Sequence, residues 1–136
     1  MRGVLGGLVA ETSRSAVVDL EAGLEHLSRG TARSVDTLLV VAEPYFKSLE
    51  TARRSSMLAR DLGIPGIRMV ANKVRSSRDE DAMREFAGRH DLPVAAVIPY
   101  DEAVVTADER GVALIDLDPD APSVSAIRRL ASGLLA

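Results

Sequence analysis

Four places in this 136-residue chain bring together residue types that can do chemistry at the end of an apolar run. Asp19 falls at the end of "AVVDL" (16–20), and Gly23 follows four residues later. Glu43-Pro44 closes "TLLVVAE" (37–43), Asn72-Lys73 closes "IRMVAN" (67–72), and Pro99-Tyr100-Asp101 closes "VAAVIP" (94–99). A carboxylate at the end of a buried strand can hold Mg²⁺ directly or through water. The ion prefers hard oxygen ligands and keeps several waters, so one carboxylate from the protein can suffice. Gly23 has no Cβ, which would let a backbone N–H approach a terminal phosphate. The Asn72 amide offers a donor and an acceptor to a purine edge, and the Lys73 stem can lie along a base. Proteins that read guanine place an Asp two residues beyond such a Lys. Here that position is Arg75, so adenine is the expected purine. Pro99 to Asp101 would touch the base through the backbone of a rigid turn. Each place also has a plain structural use: a strand-ending Asp, a turn glycine, a loop Asn with a solvated Lys, and a helix cap at Asp101. The residues by themselves leave both uses open.

The elements that must position these residues alternate along the chain. None of the four apolar runs shows clean in-out alternation, the pattern of strands covered on both faces in a parallel sheet. Helical segments lie between them. Ser48 is expected to cap a helix reaching about Leu62, closed by Gly63 and Pro65, with Leu49, Ala52, Ser56 and Ala59 on its inner face. Ser77-x-x-Glu80 has the capping-box pattern for a second helix to about His90, with Ala82, Met83, Phe86 and Ala87 inward. Asp101 caps a third ending near Gly111. Ser123 starts a last one with Ile127, Leu130, Ala131 and Leu134 on one face, and residues 2–12 are expected to form a further, glycine-weakened helix. The fold class is therefore α/β, a three-layer arrangement in which a mostly parallel sheet is flanked by helices, within a single domain over residues 1–136. Ligands of such sheets sit outside the carboxyl ends of the strands, so the four places should form one edge of one site.

Composition narrows the function. Hydrophobic residues make up 46% and aromatics 3%, so the core is aliphatic. The net charge of −3 argues against a nucleic-acid partner, which calls for a basic face. With no cysteine there is no disulfide and no thiolate metal site. His26 and His90 lack zinc-site spacing, and His26 is read as polar surface rather than a phosphate-side switch. No G-x-S-x-G nucleophile turn is present. No run reaches the roughly 18 apolar residues of a membrane span, and the opening residues are too glycine-broken for a signal peptide. A cytoplasmic protein without a membrane partner is expected.

"VVDLEAGLEHLSRGT", "DTLLVVAEPYFKSLETA", "MVANKVRS" and "VIPYDEAVVTADERGVAL", in that order, resemble the C-terminal half of the MinD/nitrogenase-iron-protein (SIMIBI) class of P-loop ATPases. Within it the chain most resembles the nickel-insertion ATPases that mature carbon monoxide dehydrogenase. The Glu-Ala-Gly-x-Glu-His-x-x-Arg-Gly-Thr run carries most of that finer likeness. The resemblance covers nearly the whole chain and implies roles. Asp19 matches the Walker B acid, near Mg²⁺ through water. Gly23 matches the switch glycine that senses the γ-phosphate. Asn72 matches the adenine-reading Asn, with Lys73 beside it, and Pro99 and Asp101 match the loop over the base. ATP or ADP with Mg²⁺ is the implied cofactor. The implied partners are a second copy or a full-length relative, across a nucleotide-dependent dimer, and a metalloenzyme client.

The sequence departs from that class in two ways. The family's metal-binding cysteine pair has no counterpart, so nickel or zinc binding is not carried over. No stretch has the phosphate-loop form G-K-G-G-x-G-K-[ST]. A truncated P-loop NTPase fold lacking the phosphate-loop strand is therefore expected, without ATP hydrolysis on its own, since phosphoryl transfer depends on that cradle. In this class the missing strand lies between the 16–20 and 37–43 strands. Those two are expected either to pair directly or to leave a gap filled by another chain or by the N-terminal segment. A non-catalytic dimerisation or interaction module is the alternative expectation.

Overall fold

A computed structural model describes residues 15–20, 24 and 29–135. Its elements are a short α1 (Arg29–Ala32), β1 (Thr37–Ala42), α2 (Phe46–Leu62), β2 (Gly66–Val74), α3 (Ser77–Arg89), β3 (Val94–Pro99), α4 (Glu102–Arg110), α5 (Leu114–Leu117) and α6 (Pro122–Leu135). The three strands form one parallel sheet in the order β1-β2-β3.

Leu38, Val40 and Ala42 of β1 and Ile67, Met69 and Ala71 of β2 pack with Leu49 and Ala52 of α2 and Met83 and Ala87 of α3 in one cluster. Both crossover helices therefore lie on one face, as right-handed connections between successive neighbours require. Met69 and Met83, both 0% exposed, fill its centre where the chain has few aromatics to use. The third layer is α6, which packs on β3 and adds nothing to that cluster. On this second face Val70 is buried, but Val41 of β1 is 59% exposed. The outer edge of β1 pairs with no strand among the described residues.

Several expectations need correcting. Residues 16–20 form no strand, and β1 pairs with β2 alone, so the 16–20 and 37–43 segments do not pair directly. Ala16 to Asp19 are exposed, with Val17 at 99%. What holds this segment is side-chain burial rather than backbone pairing: Leu20 and Leu24 pack with Ala32, Ala59 and Ile64. The α2 helix starts two residues before Ser48, whose hydroxyl instead accepts the Glu43 N–H at 2.9 Å. The α3 cap is Ser76, not Ser77. Ser76 Oγ accepts the Asp79 N–H at 3.1 Å, and Asp79 Oδ2 accepts at 3.0 Å the N–H of Arg75, the residue before the cap, so the cap lies one residue early and is not the reciprocal box. Ala82 is exposed. On α6 the buried residues are Ser123, Val124 and Ala126, whereas Ile127, Ala131 and Leu134 of the expected inner face are exposed. The expected helix over 2–12 lies outside the described residues.

Other expectations hold. Gly63 closes α2 at φ 82°, the left-handed conformation a glycine takes without strain. Asp101 caps α4, which Gly111 closes. No described helix is long and apolar enough to cross a membrane.

Candidate functional site

The carboxyl ends of the three strands meet at one edge. At the end of β1, the Glu43 N–H bond to Ser48 ties the strand to the first turn of α2. The end of β2 is irregular: its register against β3 shifts between Ala71 and Val74, and Lys73 takes φ 55°. A left-handed lysine carries steric strain that a regular strand would avoid. The conformation has a visible result, because Lys73 Nζ reaches Glu43 Oε1 at 2.8 Å across the ends of β1 and β2. The hydrogen bond to Glu43, then its charge, raises the Lys73 pKa. Beyond the bulge, Val74 resumes pairing with Pro99, and its carbonyl accepts the Tyr100 N–H at 2.9 Å.

Asp101 is engaged on both carboxylate oxygens. Oδ1 accepts the Ala103 N–H at 3.0 Å, which caps α4. Oδ2 accepts the Ser123 hydroxyl at 2.7 Å and the Ser123 N–H at 3.1 Å, which binds the start of α6. The Ser123 hydroxyl, followed by its N–H, holds the Asp101 pKa below the ordinary carboxylate value. The side chain thus fastens two helices to the turn after β3. What it leaves for a ligand is the rigid backbone of 99–101.

Asn72 is different. It is only partly buried, and its amide makes no hydrogen bond among the described residues. None of its side-chain atoms is buried without a partner, so the amide stays within reach of solvent. An unused donor–acceptor pair at a strand end suits a heterocyclic base edge.

The structure therefore gathers Asn72, Lys73, Pro99 and Asp101 at one edge. It does not bring Asp19 there. Asp19 is exposed, outside the sheet, and next to Leu20, which packs against the cluster of Leu24, Ala32, Ala59 and Ile64. Gly23 and His26 lie outside the described residues. No group of three or more His, Cys, Asp or Glu side chains converges among the described residues. What the carboxyl edge offers a ligand is therefore the unused Asn72 amide beside the rigid 99–101 backbone. Sequence reasoning did not foresee the Glu43–Lys73 pair or the contact of Arg75 with the Tyr100 ring, at 3.5 Å from its centroid. The first arises at the left-handed Lys73 of the β2 irregularity, which no composition or periodicity signals.

A parallel sheet with its polar groups gathered outside the strand ends defines a nucleotide-binding α/β class. Residues 4–114 match the family model of the CobQ/CobB/MinD/ParA nucleotide binding domain (CbiA), and the chain belongs to this family. Over 119 residues it is 40% identical to the carbon monoxide dehydrogenase accessory protein CooC of Rhodospirillum rubrum, covering 88% of this chain and 44% of that protein. The MinD cell division protein of Aquifex aeolicus superimposes with a TM-score of 0.67 at 20% identity, over 83% of this chain and 49% of that one. MinD from Pyrococcus horikoshii, solved with Mg-ADP, gives 0.62 at 23% identity, over 75% and 42% of the two chains. The chain thus spans less than half the length of the curated relative it matches.

Proposed function

We propose that these 136 residues are the carboxyl-terminal half of an ATPase-like nucleotide-binding domain and supply its base-recognition edge. The observation that carries this is the unpartnered Asn72 amide, set between the Glu43–Lys73 ion pair and the fixed turn at Pro99. Asn72 reads the adenine edge. The Lys73 stem and the backbone of Pro99 to Asp101 bound the base. The ligand class is ADP or ATP, with Mg²⁺ arriving on the phosphates. By resemblance Asp19 would act on that ion through water and Gly23 would sense the terminal phosphate, which requires the 16–23 segment to sit at the carboxyl edge beside a phosphate-binding segment. On its own the chain does not hydrolyse ATP. The 40% identity to CooC favours a role beside a metalloenzyme that is being matured, with a second copy or a full-length relative as partner.

A second reading is favoured by the outer edge of β1, which pairs with no strand among the described residues, and by the exposed Val41. An open parallel edge offers unpaired backbone groups to another chain. The chain would then be a non-catalytic dimerisation module whose nucleotide residues are inherited. Measuring phosphate release alongside association separates the two. Under the first reading, the chain alone releases no phosphate above background, ADP binds, and Asn72→Ala removes binding. Under the second, the chain associates, ADP does not bind, and Asn72→Ala leaves association intact. Turnover that is lost in Asp19→Ala would contradict both.

A further inference from the structure

Arg75 and Tyr100 meet at the same edge, and neither backbone depends on the contact. The Arg75 N–H is held by Asp79 Oδ2 at 3.0 Å, and the Tyr100 N–H by the Val74 carbonyl at 2.9 Å. Their side chains then bring the guanidinium carbon to 3.5 Å from the centroid of the phenol ring. That separation matches two planar groups in face contact, since an edge-on guanidinium would hold its carbon farther off. One face of the guanidinium is covered by the ring. The other belongs to an exposed residue three positions after Asn72, just past the β2 bulge.

The other charged groups of the edge are already engaged. Lys73 is bonded to Glu43, and Asp101 accepts three hydrogen bonds. Arg75 makes no side-chain hydrogen bond or ion pair among the described residues. Guanidinium planes and aromatic rings are the surfaces on which nucleic-acid bases stack. A guanidinium restrained by an aromatic ring loses less freedom on binding than one free in water.

We propose that Arg75, held against the Tyr100 ring, is the platform on which the purine base stacks while Asn72 reads its edge. The proposal rests on the nucleotide-binding reading given above and adds two residues to it. Arg75 touches the base. Tyr100 is a positioning residue that acts through Arg75. The requirement is for a plane rather than a charge, and the contact is with the base rather than the phosphates.

The test is calorimetric titration of adenosine and of Mg-ADP into the full chain and its variants. Arg75→Lys keeps the charge and removes the plane. It is expected to weaken adenosine and ADP by the same factor, between a few-fold and about a hundredfold, the range for one stacked base. Tyr100→Ala is expected to weaken both ligands, and Tyr100→Phe to restore most of the affinity. Thermal melts of each variant report any loss of folding separately. Wild-type affinity in Arg75→Lys would overturn the proposal. So would a loss seen with ADP but not with adenosine, because Arg75 would then be serving the phosphates. If the wild-type chain binds neither ligand at millimolar concentration, the nucleotide-binding reading itself fails and takes this one with it.

Discussion

The Asp101 carboxylate accepts from Ala103 on one oxygen and from Ser123 on the other, and so does the work of two helix caps. Removing a capping side chain usually costs about 0.5–2 kcal/mol. Asp101→Ala is expected near the upper end, about 2 kcal/mol, because two helices lose their tie. Urea unfolding at neutral pH measures this. The pH dependence has a definite sign. The folded pKa of Asp101 is lowered from 3.8, so its stabilisation is fully present above that value and is lost as pH falls through the lower, folded value. The gap between wild type and Asp101→Ala should therefore narrow in strong acid. A gap that stays constant would mean that the carboxylate's charge contributes nothing. Lys73 shows the opposite economy, with a strained backbone in exchange for an ion pair that spans two strand ends.

Among the elements, the helix–strand alternation from residue 37 onward was legible because it rests on local chemistry. Gly63 and Gly111 end helices in the left-handed conformation, and Asp101 caps α4, where their residue types place them. The misplacements have long-range causes. Ser48 has the right type for a cap, but the Glu43 N–H takes its hydroxyl. "AVVDL" has strand composition yet pairs with nothing, since a strand exists only with a neighbour. The Ile127 and Leu134 face of α6 reads as inward but is exposed. At the site, the positions of Asn72 and Pro99 near the carboxyl ends of β2 and β3 were legible, although β2 runs two residues beyond Asn72. The bulge that joins Lys73 to Glu43 was not, because it depends on how β2 meets β3. One inter-element contact is especially unforgiving. A Cβ on Gly66 would lie 2.8 Å from both the Asp36 carbonyl and the Thr37 hydroxyl, at the start of the β1–β2 pairing. Gly66→Ala is expected to cost about 1–3 kcal/mol, the usual toll of forced repacking, and a thermal melt would register it. An unchanged midpoint would show that β1 and β2 can separate there without penalty.

Among the described residues, the sheet is covered by α2 and α3 on one face and by α6 over β3 on the other, while the outer edge of β1 pairs with no strand and Val41 is exposed. Such an edge favours association. Sedimentation equilibrium is expected to show mass rising with concentration. Val41→Glu should reduce that association while changing stability by less than about 0.5 kcal/mol, as is usual for an exposed site. A monomer at every concentration would remove the self-association proposal. The central claim is that the carboxyl edge of these three strands is the base half of a nucleotide site. Calorimetric titration of Mg-ADP into the chain and into Asn72→Ala tests it most directly. Saturable binding by the wild type is expected, abolished in Asn72→Ala while that variant melts at the same temperature. Equal binding by both chains, or none by the wild type up to millimolar ADP, would contradict it.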